Sequence, residues 1–296
     1  MDVTADQLAA SVAELVRIPS VNPLQAGPVS ASHGCDGERA VAEHLASRFD
    51  AVGADEVVLH DVLDGRPNVY GFFPGRTGRL VVIDVHTDTV TVEHMTDPPF
   101  DGRIEDGHVW GRGALDTKAS LGVITALLEA WQRDGLRPEP TLLVVGSIAE
   151  EAGGLLGATY FRPWADERGL DVDQLVVSEP TQLSPIHGHK GGAALSITAL
   201  GASAHSSLPH LGKNAIQAMA PVILALQAEN ERLQAQEPTT ELGNGTVSVT
   251  MIDGGTGGNV IPASCTIIAG RRIVPGEDAQ QVFDDLAQLA ADACPL

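Results

Sequence analysis

Residues 141–148 (TLLVVGSI) form a continuous apolar run that begins after Pro140 and ends before Glu150 and Glu151. The run is far too short to span a membrane, and its length is typical of a β-strand that is covered on both faces. A strand covered on both faces requires helices above and below its sheet, so the surrounding chain should supply amphipathic helices.

The sequence on either side of this run alternates between strand and helix patterns. Helical periodicity is clearest over 118–133, where leucine, isoleucine and tryptophan side chains recur on one helical face. Further strand patterns lie at 56–60, 68–73, 80–85 and 174–177, and further helix patterns lie at 8–16 and 37–49. This alternation predicts an α/β domain with a largely parallel sheet over residues 1–185.

The pattern changes near residue 186. Strand and helix patterns then follow in the order β-α-β-β-α, at 193–200, 214–233, 246–252, 264–272 and 278–291. One more strand would complete a ferredoxin-like βαββαβ sandwich. The sequence therefore predicts a second, smaller α+β domain over residues 186–296 that lacks its last strand.

The composition excludes several classes of protein. Acidic residues outnumber basic ones by 39 to 18, and the resulting net charge of −21 argues against nucleic-acid binding. No apolar run reaches the roughly 18–20 residues of a membrane span. The acidic N-terminus lacks the features of a secretory signal, and the three cysteines form no Cys-x-x-Cys pair. We expect a cytoplasmic protein that binds neither nucleic acid nor a membrane.

Acidic residues and one histidine follow the ends of the predicted strands or precede the next helix. They are His86 and Asp88, Asp116, Glu150 and Glu151, and Glu179. Ligands of open α/β sheets bind beyond the carboxyl ends of the strands, so these side chains should converge at one sheet edge. Such a concentration of carboxylates repels itself unless cations compensate it, and two divalent ions would do so.

The residue types at these positions suit metal binding. Imidazole nitrogens and carboxylate oxygens are ligands for zinc, and oxygen-rich sites also accept manganese or cobalt. Asp88 lies two residues after His86 in an extended chain, where it can hold the second ring nitrogen of the histidine. One of Glu150 and Glu151 can bind metal while the other accepts the proton of a metal-bound water molecule. Taken singly, each motif also has an ordinary structural explanation, such as Asp116 as a helix N-cap, but the combination favours a metal site.

Several short motifs carry a resemblance to a known family. In the first domain they are VHTDTV (85–90), GRGALDTK (111–118), AEEAGG (149–154) and SEPT (178–181). In the second domain they are GASAHSSLPHLGKNAI (201–216) and GGNVIPASC followed by RRIVPGED (257–278). In order and approximate spacing, the set resembles the co-catalytic metallohydrolase family of acetylornithine deacetylase, succinyl-diaminopimelate desuccinylase, aminoacylase and glutamate carboxypeptidase. The resemblance covers nearly the whole chain.

This resemblance implies a mostly parallel-sheet catalytic domain with an inserted ferredoxin-like α+β domain that serves as lid and dimerisation domain. It implies two divalent metal ions. Zinc is the favoured metal, and cobalt or manganese are alternatives. The implied reaction is hydrolysis of the amide bond of an N-acyl amino acid or small peptide by a metal-bridging water. The implied assembly is a homodimer formed through the lid.

The resemblance assigns the metal ligands position by position. His86 and Glu179 bind one metal, Asp116 bridges both metals, and Glu151 binds the second. Glu150 is the implied general base that takes the proton of the water.

The resemblance also assigns supporting and substrate-binding groups. Asp88 orients the ligand histidine, and the peptide bond that corresponds to the one after Asp116 is often cis in the family. His205, in the lid, resembles a histidine that stabilises the oxyanion in the partner subunit's site. Asn259 and Arg272 resemble groups that hold the substrate carboxylate.

The chain departs from the family pattern at its C-terminus. The family returns from the lid to the catalytic domain and supplies a further histidine to the second metal, whereas this sequence stops at Leu296 without a counterpart. We therefore expect a second metal with one ligand missing, and uncovered apolar surface on the catalytic domain. Three hypotheses stay open: an active amidohydrolase or peptidase, a truncated non-catalytic relative that binds one metal and acts through lid-mediated association, and an unrelated α/β binding protein.

Overall fold

The computed structural model describes residues 2–35, 37–238 and 240–296, and the chain divides into two compact units, Met1–Leu183 and Ser184–Leu296. Each unit has a hydrophobic core of its own. They are called the first and second unit below.

The first unit alternates helices and strands along the chain. In order, its described elements are α1 (Ala5–Val16), α2 (Pro28–Ser32), α3 (Arg39–Ala51), β1 (Glu56–Leu63), β2 (Arg66–Phe73), β3 (Leu80–His86), β4 (Ile104–Glu105), β5 (His108–Val109), α4 (Lys118–Arg133), β6 (Thr141–Ser147), α5 (Leu156–Glu167) and β7 (Gln174–Val177).

The central sheet of the first unit has five strands in the order β1-β2-β6-β3-β7. The pairs β6–β3 and β3–β7 are parallel, whereas β1–β2 and β2–β6 are antiparallel. The α/β class predicted from the sequence is confirmed. The sheet is mixed, and the predicted parallel pairing holds for β6, β3 and β7, the strands that end at the candidate site.

The antiparallel part of the sheet follows from a short connection. Only Asp64 and Gly65 link β1 to β2, and a two-residue connection can join only antiparallel strands. Gly65 adopts a φ of 72°, the left-handed backbone that such a turn requires. Because Asp-Gly is a strong hairpin signal, this pairing was available from the sequence.

Helices cover both faces of the sheet, as the apolar run at 141–148 predicts. On one face, Phe49 of α3 and Leu121 of α4 pack with Val144 of β6 in a fully buried cluster. On the other face, Trp164 of α5 stacks on Tyr70 of β2 with 3.9 Å between ring centroids. Because both faces of β6 are buried, its sequence is apolar along nearly its whole length.

Helix boundaries differ slightly from those predicted. The helix predicted from residue 37 begins at Arg39, because Gly37 has a φ of 83° that is incompatible with a right-handed helix. Residues 28–32, for which the sequence predicts no element, form the short helix α2, which begins with Pro28 at a position where proline is favoured.

The second unit is built in the predicted order β-α-β-β-α, with two short additional strands. Its elements are β8 (Gly191–Leu200), β9 (Ala204–His205), a 3₁₀ turn (Pro209–Leu211), α6 (Ala215–Gln234), β10 (Thr246–Gly254), β11 (Val260–Ile261), β12 (Ser264–Ile273) and α7 (Ala279–Ala293). Three strands form an antiparallel sheet in the order β10-β12-β8. Met219 and Leu226 of α6 and Leu286 of α7 pack with Ile267 of β12 to form the core.

The strand β7 lies at one edge of the first unit's sheet and exposes apolar side chains. Among the described strands it pairs with β3 alone, and Leu175, Val176 and Val177 are each at least half exposed. Uncovered apolar surface is therefore present along this edge strand.

None of the helices in the described ranges has both the length and the apolarity needed to cross a bilayer.

Candidate metal centre

The parallel strands bring the predicted site residues to one edge of the sheet. His86 is the last residue of β3 and is paired with Ser147, the last residue of β6. On the other side, Asp84 of β3 is paired with Val177 at the end of β7. The segments that leave β6 and β7 therefore begin beside His86, which places Glu150, Glu151 and Glu179 at the carboxyl end of the strands.

Asp116 reaches the same edge from a separate segment. It precedes α4, whose N-cap is Thr117, so Asp116 is not the N-cap that its position also allowed. The Asp116–Thr117 peptide bond is cis, as the family resemblance implies. One carboxylate oxygen of Asp116 lies 3.0 Å from Nε2 of His86.

The five side chains form two overlapping groups of possible metal ligands. His86 is combined with Asp116 and Glu179 in one group and with Glu150 and Glu151 in the other. Within each group, one ligand atom from every residue lies within 4.8 Å of the others. His86 belongs to both groups and is only 4% exposed. The donor set, one imidazole with four carboxylates, fits a divalent cation such as zinc or manganese.

The pKa shifts of the clustered side chains also favour binding of a cation. Burial, reinforced by the charge of Asp116, raises the pKa of Glu151 to about 7. Burial likewise raises the pKa of Glu179, with Glu150 and Asp116 adding to the effect. Burial alone would lower the pKa of His86, but the surrounding carboxylates outweigh it and raise that pKa to about 10. The protein therefore concentrates negative charge that a divalent ion would compensate.

Asp88 contacts both His86 and the loop of residues 148–152, which carries Glu150 and Glu151 and is called the glutamate loop below. Its backbone carbonyl oxygen lies 2.9 Å from Nδ1 of His86, and its carboxylate lies 3.5 Å from the same nitrogen. The two carboxylate oxygens accept the backbone N–H groups of Glu150 and Glu151 at 3.0 Å each. This position suits the predicted orienting role, and it adds a second one, since Asp88 also anchors the chain that carries the two glutamates.

Two further polar residues fix this loop, and the sequence analysis did not identify either. Asn22 donates from Nδ2 to the Asp88 carboxylate (2.7 Å) and to the carbonyl of Ala152 (2.8 Å). Gln25 donates to the carbonyl of Glu151 (2.8 Å). Both lie in a segment whose sequence shows only loop character, so no local signal connects them with residues more than 120 positions later.

The residues predicted to contact substrate lie in the second unit. His205 is the last residue of β9, is exposed, and lies with Nδ1 2.7 Å from the hydroxyl of Ser207. Asn259 lies beside it, because its carbonyl accepts the N–H of Ser206 at 2.9 Å. Arg272 is near the far end of β12, eight residues beyond Ser264 and thus roughly 26 Å along the strand. Within this unit the structure therefore brings the backbones of His205 and Asn259 together, and Arg272 lies near the end of β12.

Models of two known peptidase families match the chain, and one of these matches extends across both units. A model of the peptidase dimerisation domain of the M20 type matches residues 187–295, and a model of peptidase family M28 matches residues 68–233. The two matches overlap over residues 187–233.

Two curated relatives match most of the chain. The uncharacterised protein YgeY of Escherichia coli is 31% identical over 264 residues, which cover 88% of this chain and 62% of YgeY. A succinyl-diaminopimelate desuccinylase of Cereibacter sphaeroides is 30% identical over 295 residues, which cover 96% of this chain and 72% of that enzyme. The chain thus spans somewhat less than two thirds of the length of YgeY.

Solved structures share the fold. An M20 family metallo-carboxypeptidase from Sulfolobus solfataricus, Sso-CP2, superposes with a TM-score of 0.72 at 18% identity, covering 99% of this chain and 76% of that one. The match to the desuccinylase, together with that of the M20-type dimerisation domain, shows that the chain belongs to the M20 peptidase family.

Proposed function

We propose that this protein hydrolyses an amide bond in N-acyl amino acids or small peptides with the help of divalent metal ions. The observation that carries the proposal is the convergence of His86, Asp116, Glu150, Glu151 and Glu179 at one sheet edge. The desuccinylase and the metallo-carboxypeptidase among the matched proteins act, by their names, on bonds of this class.

One ligand group and the family resemblance together suggest which residues would hold the ions. His86, Asp116 and Glu179, which form one of the groups, would hold one ion. Following the family pattern, Glu151 with Asp116 would hold the second. We propose zinc, with cobalt or manganese as alternatives, since the donors are one imidazole and several carboxylates. Bound divalent ions polarise a substrate carbonyl and lower the pKa of the attacking water.

The protein's own groups would move the proton. Glu150 is the more exposed of the two glutamates, and its backbone is fixed by Asp88, so its carboxylate can face a substrate. It would accept the proton of the attacking water and pass it to the leaving amine. His205 would reach into the partner subunit's site and donate to the oxyanion that forms on the carbonyl there. Asn259, beside His205, would contact the substrate carboxylate.

The remaining family-based assignments are part of the same proposal. Arg272, near the end of β12, would hold a substrate carboxylate. Dimerisation through the second unit is proposed from the match to the peptidase dimerisation domain. A cytoplasmic location stays a prediction from the sequence.

Metal content and turnover of the Glu150→Gln variant test the proposed function. We expect about two equivalents of zinc or cobalt in the wild-type chain, and hydrolysis of at least one member of a panel of N-acetyl and N-succinyl amino acids and dipeptides. Glu150→Gln should keep the metal but lose roughly 100-fold or more in turnover, because the base is gone.

The matched control is Glu139→Gln, which makes the same change at an exposed glutamate paired with Arg76. Turnover of this control should equal that of the wild type. One equivalent of metal without turnover in the wild type would instead support the non-catalytic relative, and no tight metal binding would contradict both.

A further inference from the structure

The loop that carries the two site glutamates is held by an unusual row of hydrogen bonds. Four consecutive backbone N–H groups, those of residues 148–151, donate to side chains that lie outside the loop. The acceptors are Asn68 (3.1 Å), Glu38 (3.3 Å) and the two oxygens of Asp88 (3.0 Å each). Since the loop makes none of these bonds with itself, its path is set by residues from elsewhere in the first unit.

Ala149 is the turning point of this loop. Its φ is 60°, a left-handed backbone that alanine adopts rarely, and its side chain is fully buried. Such a conformation persists only where surrounding contacts impose it. The bond from Ala149 N–H to Glu38 is one such contact, and it lies immediately before Glu150 and Glu151.

Glu38 is itself held by a largely buried arginine, Arg66. Its side chain is 0% exposed, and that of Arg66 is 11% exposed. Arg66 donates from Nε to one carboxylate oxygen at 2.7 Å and from Nη2 to the other. The second of these oxygens is the one that also accepts Ala149 N–H. The two-point contact therefore fixes the carboxylate in the orientation that reaches the loop.

A contribution to folding stability does not by itself explain why a charged pair is buried at this position. Desolvation of two charges offsets most of their attraction, so a buried ion pair is often no more stabilising than apolar residues of the same size. The pair has a specific geometric consequence instead. Arg66 lies on β2, two residues before Asn68, so one strand supports both Ile148 and Ala149 at the end of the neighbouring strand β6.

We propose that Glu38 and Arg66 are a positioning pair that holds Ala149 in its left-handed conformation and thereby aims Glu150 and Glu151 at the metal centre. The inference rests on the proposed function, because it assigns the pair an effect on metal binding. Neither residue belongs to the candidate ligand groups, so both act through the loop.

The test compares Glu38→Gln with Glu277→Gln in the full chain. Glu277, in the second unit, also accepts an arginine (Arg271) and a backbone N–H (Val274, 2.8 Å), so it is a matched control for the loss of such a pair. Cobalt affinity is measured by titration calorimetry, and exchange of the amides of residues 148–152 is measured by mass spectrometry without metal.

We expect Glu38→Gln to weaken cobalt binding by 10- to 100-fold, the usual effect of removing a group that supports a ligand. Its amides at 148–152 should exchange at least tenfold faster than those of the wild type. Glu277→Gln should leave both properties within twofold of wild type. If Glu38→Gln does not fold, Arg66→Lys serves in its place, because it keeps the charge but loses the two-point contact, and it should show the same effects at smaller size.

The outcomes separate this inference from the proposed function. Unchanged cobalt affinity and unchanged exchange in Glu38→Gln, with thermal destabilisation like that of Glu277→Gln, would show that the pair has only a structural role. If the wild type binds no cobalt, the proposed function fails, and the exchange of residues 148–152 decides whether the pair positions the loop.

Discussion

At the scale of single residues, His86 has the most consequential position. It is almost fully buried at the end of β3, and it belongs to both candidate ligand groups. Its Nδ1 faces the carbonyl of Asp88, which leaves Nε2 directed toward Asp116. A neutral imidazole held in this way presents one nitrogen to a metal, because the opposite nitrogen is occupied by the backbone carbonyl.

The proposed ligand assignment makes the two metal positions separable by mutation. His86→Ala and Glu179→Gln should each remove about one equivalent of zinc, because both residues are proposed ligands of the same ion. The second equivalent should remain in both variants, held by Glu151 and Asp116. Metal content after dialysis, measured by mass spectrometry, checks both values, with exposed His94→Ala as the control. Retention of both equivalents in His86→Ala would contradict the assignment.

Much of this candidate site could be predicted residue by residue, and some of it could not. Each ligand follows a strand end or precedes a helix, which is a local signal. The contact of Asp88 with the backbone of Glu150 and Glu151 is not local, because it joins residues about 60 positions apart. The contact exists because β3 and β6 are neighbouring strands, which no local sequence pattern indicates.

At the scale of elements, close packing of α1 on α4 depends on a glycine. A Cβ at Gly122 of α4 would lie 2.8 Å from the backbone nitrogen and Cα of Val12 in α1. These distances are shorter than real Cβ contacts, and backbone atoms cannot rotate away. The helix axes would therefore have to separate.

Gly122→Ala should consequently destabilise the protein by about 1–3 kcal/mol. The sign is informative, because alanine would stabilise an isolated helix by about 1 kcal/mol relative to glycine. Urea unfolding followed by circular dichroism measures the change. Gly78→Ala, at a loop glycine with open space around it, should change stability by less than about 0.5 kcal/mol. A stabilised Gly122→Ala variant would show that the two helices are not packed this closely.

Element types were predictable where periodicity is strong. The helix expected over 118–133 is observed with those bounds, and β6 begins at residue 141 as expected. The order of strands in the sheet was less accessible, because an apolar strand can in principle pair with any other. Here β6 lies between β2 and β3, although the sequence places 67 residues between β2 and β6.

At the scale of the whole molecule, the candidate ligands and the second core belong to different units. His86, Asp116, Glu150, Glu151 and Glu179 all lie within Met1–Leu183. The core of α6, α7 and the three-stranded sheet lies within Ser184–Leu296. A ligand that binds only the folded first unit should therefore stabilise that unit and leave the second unchanged.

Calorimetry of the full chain tests this separation. We expect two unfolding transitions, of which only one moves to higher temperature when zinc is added. At a free zinc concentration of 100 times Kd the gain is about 2.7 kcal/mol. The shift should be smaller in His86→Ala, which lacks a ligand of one of the two proposed ions. A single transition, or two that move together, would show that the units unfold cooperatively.

The amino-acid sequence by itself determined the alternation of elements, the change of pattern near residue 186 and the identity of the candidate ligands. These properties depend on hydrophobic periodicity and on chemistry within a few residues, both of which are visible along the chain. Tertiary structure alone decided that His86 is shared by two ligand groups and that Glu38, Arg66, Asn68 and Asp88 hold the glutamate loop. Those contacts depend on which strands become neighbours, and that is set by packing of the whole unit rather than by any local pattern.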